Sequence, residues 1–198
     1  MFASDFSDLG GVMKQLLAVT LLLLALPASA LEVAGVNVAD KTKVGASELV
    51  LNGAGIRTRV VFKVYVGALY LTEKTSAAAE ALAQKGAKRV TLTMLRDLSA
   101  QQLDEAFENG IQANHSAAEV EALKPRIAEL LSLFTDAKKG DVILLDFQPE
   151  SGTAVNVNGQ AKGKPIPGED FYRALLRIWL GDKPVDGDLK KGMLGQAL

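Results

Sequence analysis

From Arg57 to Leu71 the chain alternates: Arg57, Arg59, Lys63 and Tyr65 share one parity, and Val60, Phe62, Val64 and Val66 the other. A period of two in residues rich in Val, Phe and Tyr predicts a strand with one greasy face and one amphipathic, cationic face. Upstream, Leu31–Val38 and Glu48–Asn52 read as shorter strands; Lys41–Gly45 between them reads as a polar turn, and Gly53-Ala54-Gly55 as a stop. Downstream, Arg89–Leu95, Asp141–Gln148 and Thr153–Val157 are strand patterns, followed by the tight-turn signal Asn158-Gly159. Between them the period becomes helical. Ser76–Gln84 is an Ala-rich helix with a serine cap, and Ser99-x-x-Gln102 is a capping box ahead of Leu103, Ala106, Phe107, Gly110 and Ile111. A second box, Ser116-x-x-Glu119, opens Ala117–Phe134, with a kink or break expected near Pro125. Glu169–Leu180 places Phe171, Leu175, Ile178 and Trp179 on one stripe and ends at Gly181, and a short helix follows around Asp188–Leu194. Strands early and late with helices between them predict an α+β fold in one domain, residues 31–198.

The first 30 residues follow a different rule. Met13 and Lys14 precede an apolar run, Leu16–Leu26, then Pro27 and Ala28-Ser29-Ala30. That is the layout of a secretory signal peptide, with cleavage expected after Ala30. The run is too short for the ~20 residues a bilayer-spanning helix needs. Asp5 and Asp8 have the wrong sign for a leader's first region, which makes Met13 the expected start. The mature chain is then expected in the periplasm or secreted, with no transmembrane span and with acids and bases in balance.

Composition narrows the chemistry by exclusion. Lys and Arg number 22 against 23 Asp and Glu, and no basic run stands out, so no nucleic-acid footprint is expected. There is no cysteine and one histidine, which leaves no disulfide, thiol nucleophile, Cys-ligated metal or multi-His site; no metal and no cofactor are expected. His115 sits in a polar Asn-His-Ser connection without a G-x-S-x-G partner motif and reads as a loop histidine. Gly53-x-Gly55 lacks the third glycine and the following helix of a dinucleotide fingerprint. Asp104, Glu105 and Glu108 read as a solvated helix face, and Lys138-Lys139-Gly140-Asp141 as a turn.

What remains is Gly53-Ala54-Gly55-Ile56-Arg57, then Phe62–Leu71 ending Leu69-Tyr70-Leu71, and the closing Ile178-Trp179-Leu180-Gly181. Taken in this order, the chain resembles the chalcone isomerase superfamily, closest to its bacterial, signal-peptide-bearing chalcone-isomerase-like group. The resemblance implies an open-faced β-sandwich, an antiparallel sheet packed against a layer of helices. It also implies that Arg57 takes the place of the arginine that polarises the substrate carbonyl during ring closure in plant chalcone isomerases. A fixed guanidinium suits a developing oxyanion. The rest of the isomerase set is altered: Tyr65 stands at a family threonine, Gln102 near a family tyrosine, and Ile178 at a second threonine, with Trp179 beside it; only Asn109 keeps its amide.

Fatty-acid-binding members of the superfamily pair the arginine with a tyrosine around a carboxylate, and Arg57 with Tyr65 resembles that pairing more closely. The leading expectation is therefore a cofactor-free, non-catalytic protein binding a fatty acid or similar amphiphilic carboxylate. Arg57 and Tyr65 would hold the head group, with Asn109 and Gln102 nearby and Phe107, Ile178 and Trp179 as cleft liners or plain core. Two alternatives stay open: an isomerase (intramolecular lyase) with Arg57 as its catalytic residue, and a structural envelope protein without a ligand. One geometric condition applies. On a straight strand Arg57 and Tyr65 would lie about 26 Å apart at ~3.3 Å per residue. A shared site therefore requires the chain to turn between them, around Thr58–Val60.

Overall fold

The computed structural model describes residues 30–197; the expected leader lies outside the described residues except for Ala30. Two strands, β1 (Ala30–Val33) and β2 (Val36–Ala39), form a separate hairpin. Its turn is Ala34-Gly35, both at positive φ, so the expected strand Leu31–Val38 is folded in two. Seven further strands form one antiparallel meander in sequence order: β3 (Lys41–Val44), β4 (Ser47–Arg59), β5 (Phe62–Leu71), β6 (Lys88–Met94), β7 (Val142–Gln148), β8 (Gly152–Val157) and β9 (Gln160–Ile166). Helices α1 (Ala78–Ala83), α2 (Ala100–Asn114), α3 (Ala117–Leu131), α4 (Glu169–Leu180) and α5 (Gly187–Met193) complete an α+β architecture, as expected. The sheet curls so that Thr42 on β3 comes within hydrogen-bonding reach of Arg89 on β6.

Several local expectations need correction, each for a physical reason. Lys41–Val44 is a strand, because its polar residues belong to an edge strand with only Val44 buried. Gly53-Ala54-Gly55 does not stop β4, which runs through it to Arg59. The glycines are there because α5 lies directly on them: a Cβ at Gly53 would fall 2.6 Å from the Gly195 nitrogen, and one at Gly192 would fall 2.6 Å from the Ala54 oxygen. The Arg57–Leu71 strand is broken at Val60-Val61, where β4 turns into β5. Helix α3 continues through Pro125 and ends at Leu131, short of Phe134. Helix α1 has Ala77 at its N-cap without a side-chain bond, so the expected serine cap is not made. Both capping boxes, Ser99 with Gln102 and Ser116 with Glu119, form as expected. Strand β9 escapes the hydrophobic pattern because it is an exposed edge carrying Pro165, and only Ile166 is buried.

The helices cover one face of the sheet. Helix α4 is the centre of that layer: Phe171, Tyr172, Ala174, Leu175, Leu176, Ile178, Trp179 and Leu180 are all buried. A fully buried side chain of this size contributes about 1.5–3 kcal/mol. Helix α2 approaches α4 closely at Gly110, where a Cβ would sit 2.8 Å from Ile178 Cγ2. On the other face the β1–β2 hairpin covers a smaller cluster around Leu49, Leu51, Val66 and Tyr70.

Candidate functional site

Arg57 is the last half-buried residue of β4 before the exposed tip. The turn at Val60-Val61 folds β5 back so that Arg57 and Tyr65 are direct cross-strand partners. The condition for a shared site is therefore met, with the turn one residue beyond where it was expected. The register slips between Arg57 and Thr58, leaving Val64 as an extra residue opposite them. Such a bulge re-aims side chains, and here both Val64 and Tyr65 join the helix-side core. The next backbone amide, of Thr58, is bound by the Asp186 carboxylate at 2.8 Å. The same carboxylate caps α5 through Asp188 and Leu189.

The Arg57 guanidinium lies over the Tyr65 ring, 5.5 Å from its centroid. Tyr65 is only 4% exposed, and its hydroxyl accepts a 2.9 Å hydrogen bond from Trp179 Nε1. Burial raises the Tyr65 pKa; the Arg57 charge and the Trp179 bond pull the other way. Arg57 forms no ion pair among the described residues, and its buried Nε has no hydrogen-bond partner. A buried donor left unpaired in this way carries a desolvation cost of about 1–3 kcal/mol.

Two clefts meet at this arginine, sharing Arg57, Arg59, Gln102 and Ala106. One, of about 240 Å³, is walled by Val60, Phe62, Val64 and Leu98 and carries a third arginine, Arg96. The other, of about 350 Å³, is more polar and includes Glu105, Asn109 and Lys183. Together they fall within the ~300–1,000 Å³ of small-molecule sites. The arrangement offers an anion a fixed cation at the junction of a greasy and a polar wall.

The sequence candidates separate into two layers. Arg57, Gln102 and Asn109 line these clefts. Tyr65, Phe107, Ile178 and Trp179 lie beneath, fully inside the core. Phe107 packs edge-on against Trp179 at 5.9 Å and at a tilt against Phe134 at 4.8 Å. Sequence reasoning missed Arg96, which the antiparallel β5–β6 register brings beside Phe62, its guanidinium 5.3 Å from that ring. It also missed Asn52, the bulged residue of β4, which donates to the Met193 carbonyl and accepts from Thr75 N, both at 2.8 Å. Neither had a local signal: Asn52 meets partners 23 and 141 residues away, and Arg96 meets Phe62 only through strand pairing.

A third cleft, of about 330 Å³ between α3 and α4, also holds arginines. Arg126 there is paired in bidentate fashion with Asp170, and Glu119 is engaged in the Ser116 capping box. His115 borders it as the C-cap residue of α2, its Nδ1 at 2.8 Å from the Ile111 carbonyl. Arg173 and Arg177 in the wall of this cleft form no ion pair among the described residues, but Glu119 and Asp170 share that wall, whereas the apolar Arg57 cleft has no acidic residue.

The profile of the chalcone isomerase-like family matches residues 30–195. A comparison with curated protein sequences finds no match. Among solved structures, a fatty-acid binding protein of Arabidopsis thaliana superposes with a TM-score of 0.67 at 14% identity, over 84% of this chain and 96% of that one. At that identity the likeness is one of fold.

Proposed function

The chain belongs to the chalcone isomerase-like family, and from that premise we propose that it binds a fatty acid or similar amphiphilic carboxylate without transforming it. The observation that carries this reading is the state of Arg57: a cation at the mouth of two clefts, without an ion pair and with an unpartnered buried Nε. A carboxylate is the planar, two-oxygen acceptor that a guanidinium binds through parallel charge-assisted bonds. The acyl chain would run along Val64, Phe62 and Leu98. Tyr65 acts chiefly from below, holding the guanidinium on its ring while Trp179 holds its hydroxyl. Gln102 and Asn109 border the head group from α2. The fatty-acid binding protein of the same fold supports the ligand class. The leader pattern of residues 13–30 supports export and a mature chain beginning at Leu31.

Native mass spectrometry of the protein purified from a periplasmic extract tests both parts. The expected spectrum shows the chain starting at Leu31 with a bound fatty-acid-sized adduct, which is absent from Arg57→Ala. No adduct in the wild-type protein, even after incubation with palmitate, would overturn the binding reading. Turnover of a chalcone that vanishes in Arg57→Ala would replace it with the isomerase.

A further inference from the structure

Large apolar side chains are exposed at four described positions, and three of them are consecutive: Val60 at 90%, Val61 at 77% and Phe62 at 59%. They form the tip of the β4–β5 hairpin. A greasy projection of this kind, rimmed by polar groups, is the usual mark of an interaction surface. Its rim is cationic. Arg59 and Lys63 flank the turn, Arg96 covers one side of Phe62, and none of the three enters an ion pair among the described residues. The cleft that opens beside the tip contains no acidic residue in its wall. The carboxylates around it are engaged or lie behind it: Asp97, next to Arg96, is held by Lys138 and the Lys139 amide, Asp186 by Thr58 and α5, and Glu105 stands in the second cleft.

The backbone adds an independent sign. Val60 sits at φ 59°, in the left-handed region that β-branched residues avoid. A two-residue hairpin turn ordinarily places Gly, Asn or Asp there. An apolar residue kept in a strained tip position points to a role outside the fold.

We propose that this tip docks peripherally on an anionic lipid bilayer, with Val60, Val61 and Phe62 entering the interface and Arg59, Lys63 and Arg96 meeting lipid phosphates. Anionic lipid fits both halves of the surface, since apolar insertion and cation attraction act together at a membrane. A second copy of the chain fits poorly, because two such tips would bring like charges face to face. Docking is peripheral in this scheme: among the described residues no helix is long and apolar enough to cross a membrane. Val60 and Phe62 also belong to the wall of the apolar cleft, so a docked tip would open that cleft toward the bilayer.

The test is cosedimentation of the purified protein with vesicles of phosphatidylcholine alone and of phosphatidylcholine with phosphatidylglycerol. Two variants leave the cleft walls untouched: Val61→Asp and Lys63→Gln. The protein should sediment with the anionic vesicles and be released by high salt, since the attraction is screened beyond a Debye length. Lys63→Gln should weaken binding about fivefold, the equivalent of one cation near the surface, and Val61→Asp about tenfold or more. Melting curves matching the wild type confirm that both variants are folded. Failure of the wild type to sediment with anionic vesicles would overturn the proposal, as would undiminished sedimentation of Val61→Asp. Lys63-dependent capture by immobilised polyglutamate, without vesicle binding, would replace it with an acidic protein partner. The outcome is separable from the ligand reading, because Arg57→Ala removes the carboxylate anchor while Val61 and Lys63 stay intact.

Discussion

Two half-buried arginines of the same sheet, Arg57 and Arg89, differ in what stands across from them. Arg89 on β6 faces Asp146 on β7 in register, holds it through Nε and Nη2, and reaches Thr42 Oγ1 with Nη1. Every part of that guanidinium is engaged by the fold. Arg57 on β4 faces Tyr65, a neutral ring, and has neither a carboxylate nor a partner for Nε. One cross-strand position thus decides between an arginine that staples strands and one left for an anion from outside. Removing Asp146 should have the largest effect on stability: Asp146→Ala leaves a mostly buried cation unpaired and should cost about 3–5 kcal/mol in urea unfolding. Arg57→Ala, by contrast, should change stability by less than about 1 kcal/mol, because losing the stacking on Tyr65 is offset by relieving the unpartnered buried Nε. Equal losses in the two variants would break the comparison.

The Gly-Ala-Gly-x-Arg segment divides along the same line. Its glycines serve the fold, admitting the backbone of α5, and only its arginine is left to the site. Gly53→Ala should force the α5 end off β4 and cost about 1–3 kcal/mol, read as a lower midpoint in the same urea titration. The comparison is sharpened from the other side by ligand affinity. Arg57→Ala should weaken displacement of a fluorescent fatty acid about 30- to 100-fold, the loss of hydrogen bonds to a charged group. Arg57→Lys should recover only part of it, since an ammonium lacks the planar fork.

A fully buried phenol beside each arginine reports the same difference. Tyr65 and Tyr172 are both buried, and burial raises both pKa values. Beside Tyr65 the unneutralised Arg57 charge opposes the rise; beside Tyr172 the Asp146 charge reinforces it, and Tyr172 ends well above its ordinary value. Tyrosinate absorbance should therefore show Tyr65 ionising at lower pH than Tyr172, with Arg57→Ala moving Tyr65 upward. The sign for stability follows from the raised folded values. Both phenols favour the fold fully below the unfolded pKa near ~10, and that contribution is lost as pH rises through the folded pKa values.

How much of this was legible depended on where the deciding interaction lay. The capping boxes at Ser99 and Ser116 are local, and both formed where the residues placed them. The glycines of β4 were misleading because their cause is a helix arriving from 130 or more residues later. Arg57 stood out, but Arg96 could be joined to it only through the β5–β6 register. Phe107, Ile178 and Trp179 have the helical spacing of cleft liners and core alike; burial alone separates the two, and it places them in the core.

The smallest expected gain concerns one of two hairpin turns of this sheet. The β8–β9 turn uses Asn158 at φ 53° and Gly159 at φ 81°, residues suited to the left-handed region. The β4–β5 turn, beside Arg57, sets Val60 at φ 59°. A left-handed conformation costs a residue with a Cβ roughly 1–2 kcal/mol, less for Asn, whose short side chain can bond locally. Val60→Asn should therefore raise stability by about 1 kcal/mol, visible as a higher melting temperature, even though it removes an apolar side chain. The side chain is 90% exposed, so little buried surface is lost to offset the gain. The same variant should bind anionic vesicles less well. Stability gained where docking is lost would place the strain with the outward-facing role of this end of the sheet. A Val60→Asn variant that melts lower would instead mean that the turn needs its valine for the fold, and the contrast between the two ends would then rest on the arginines alone.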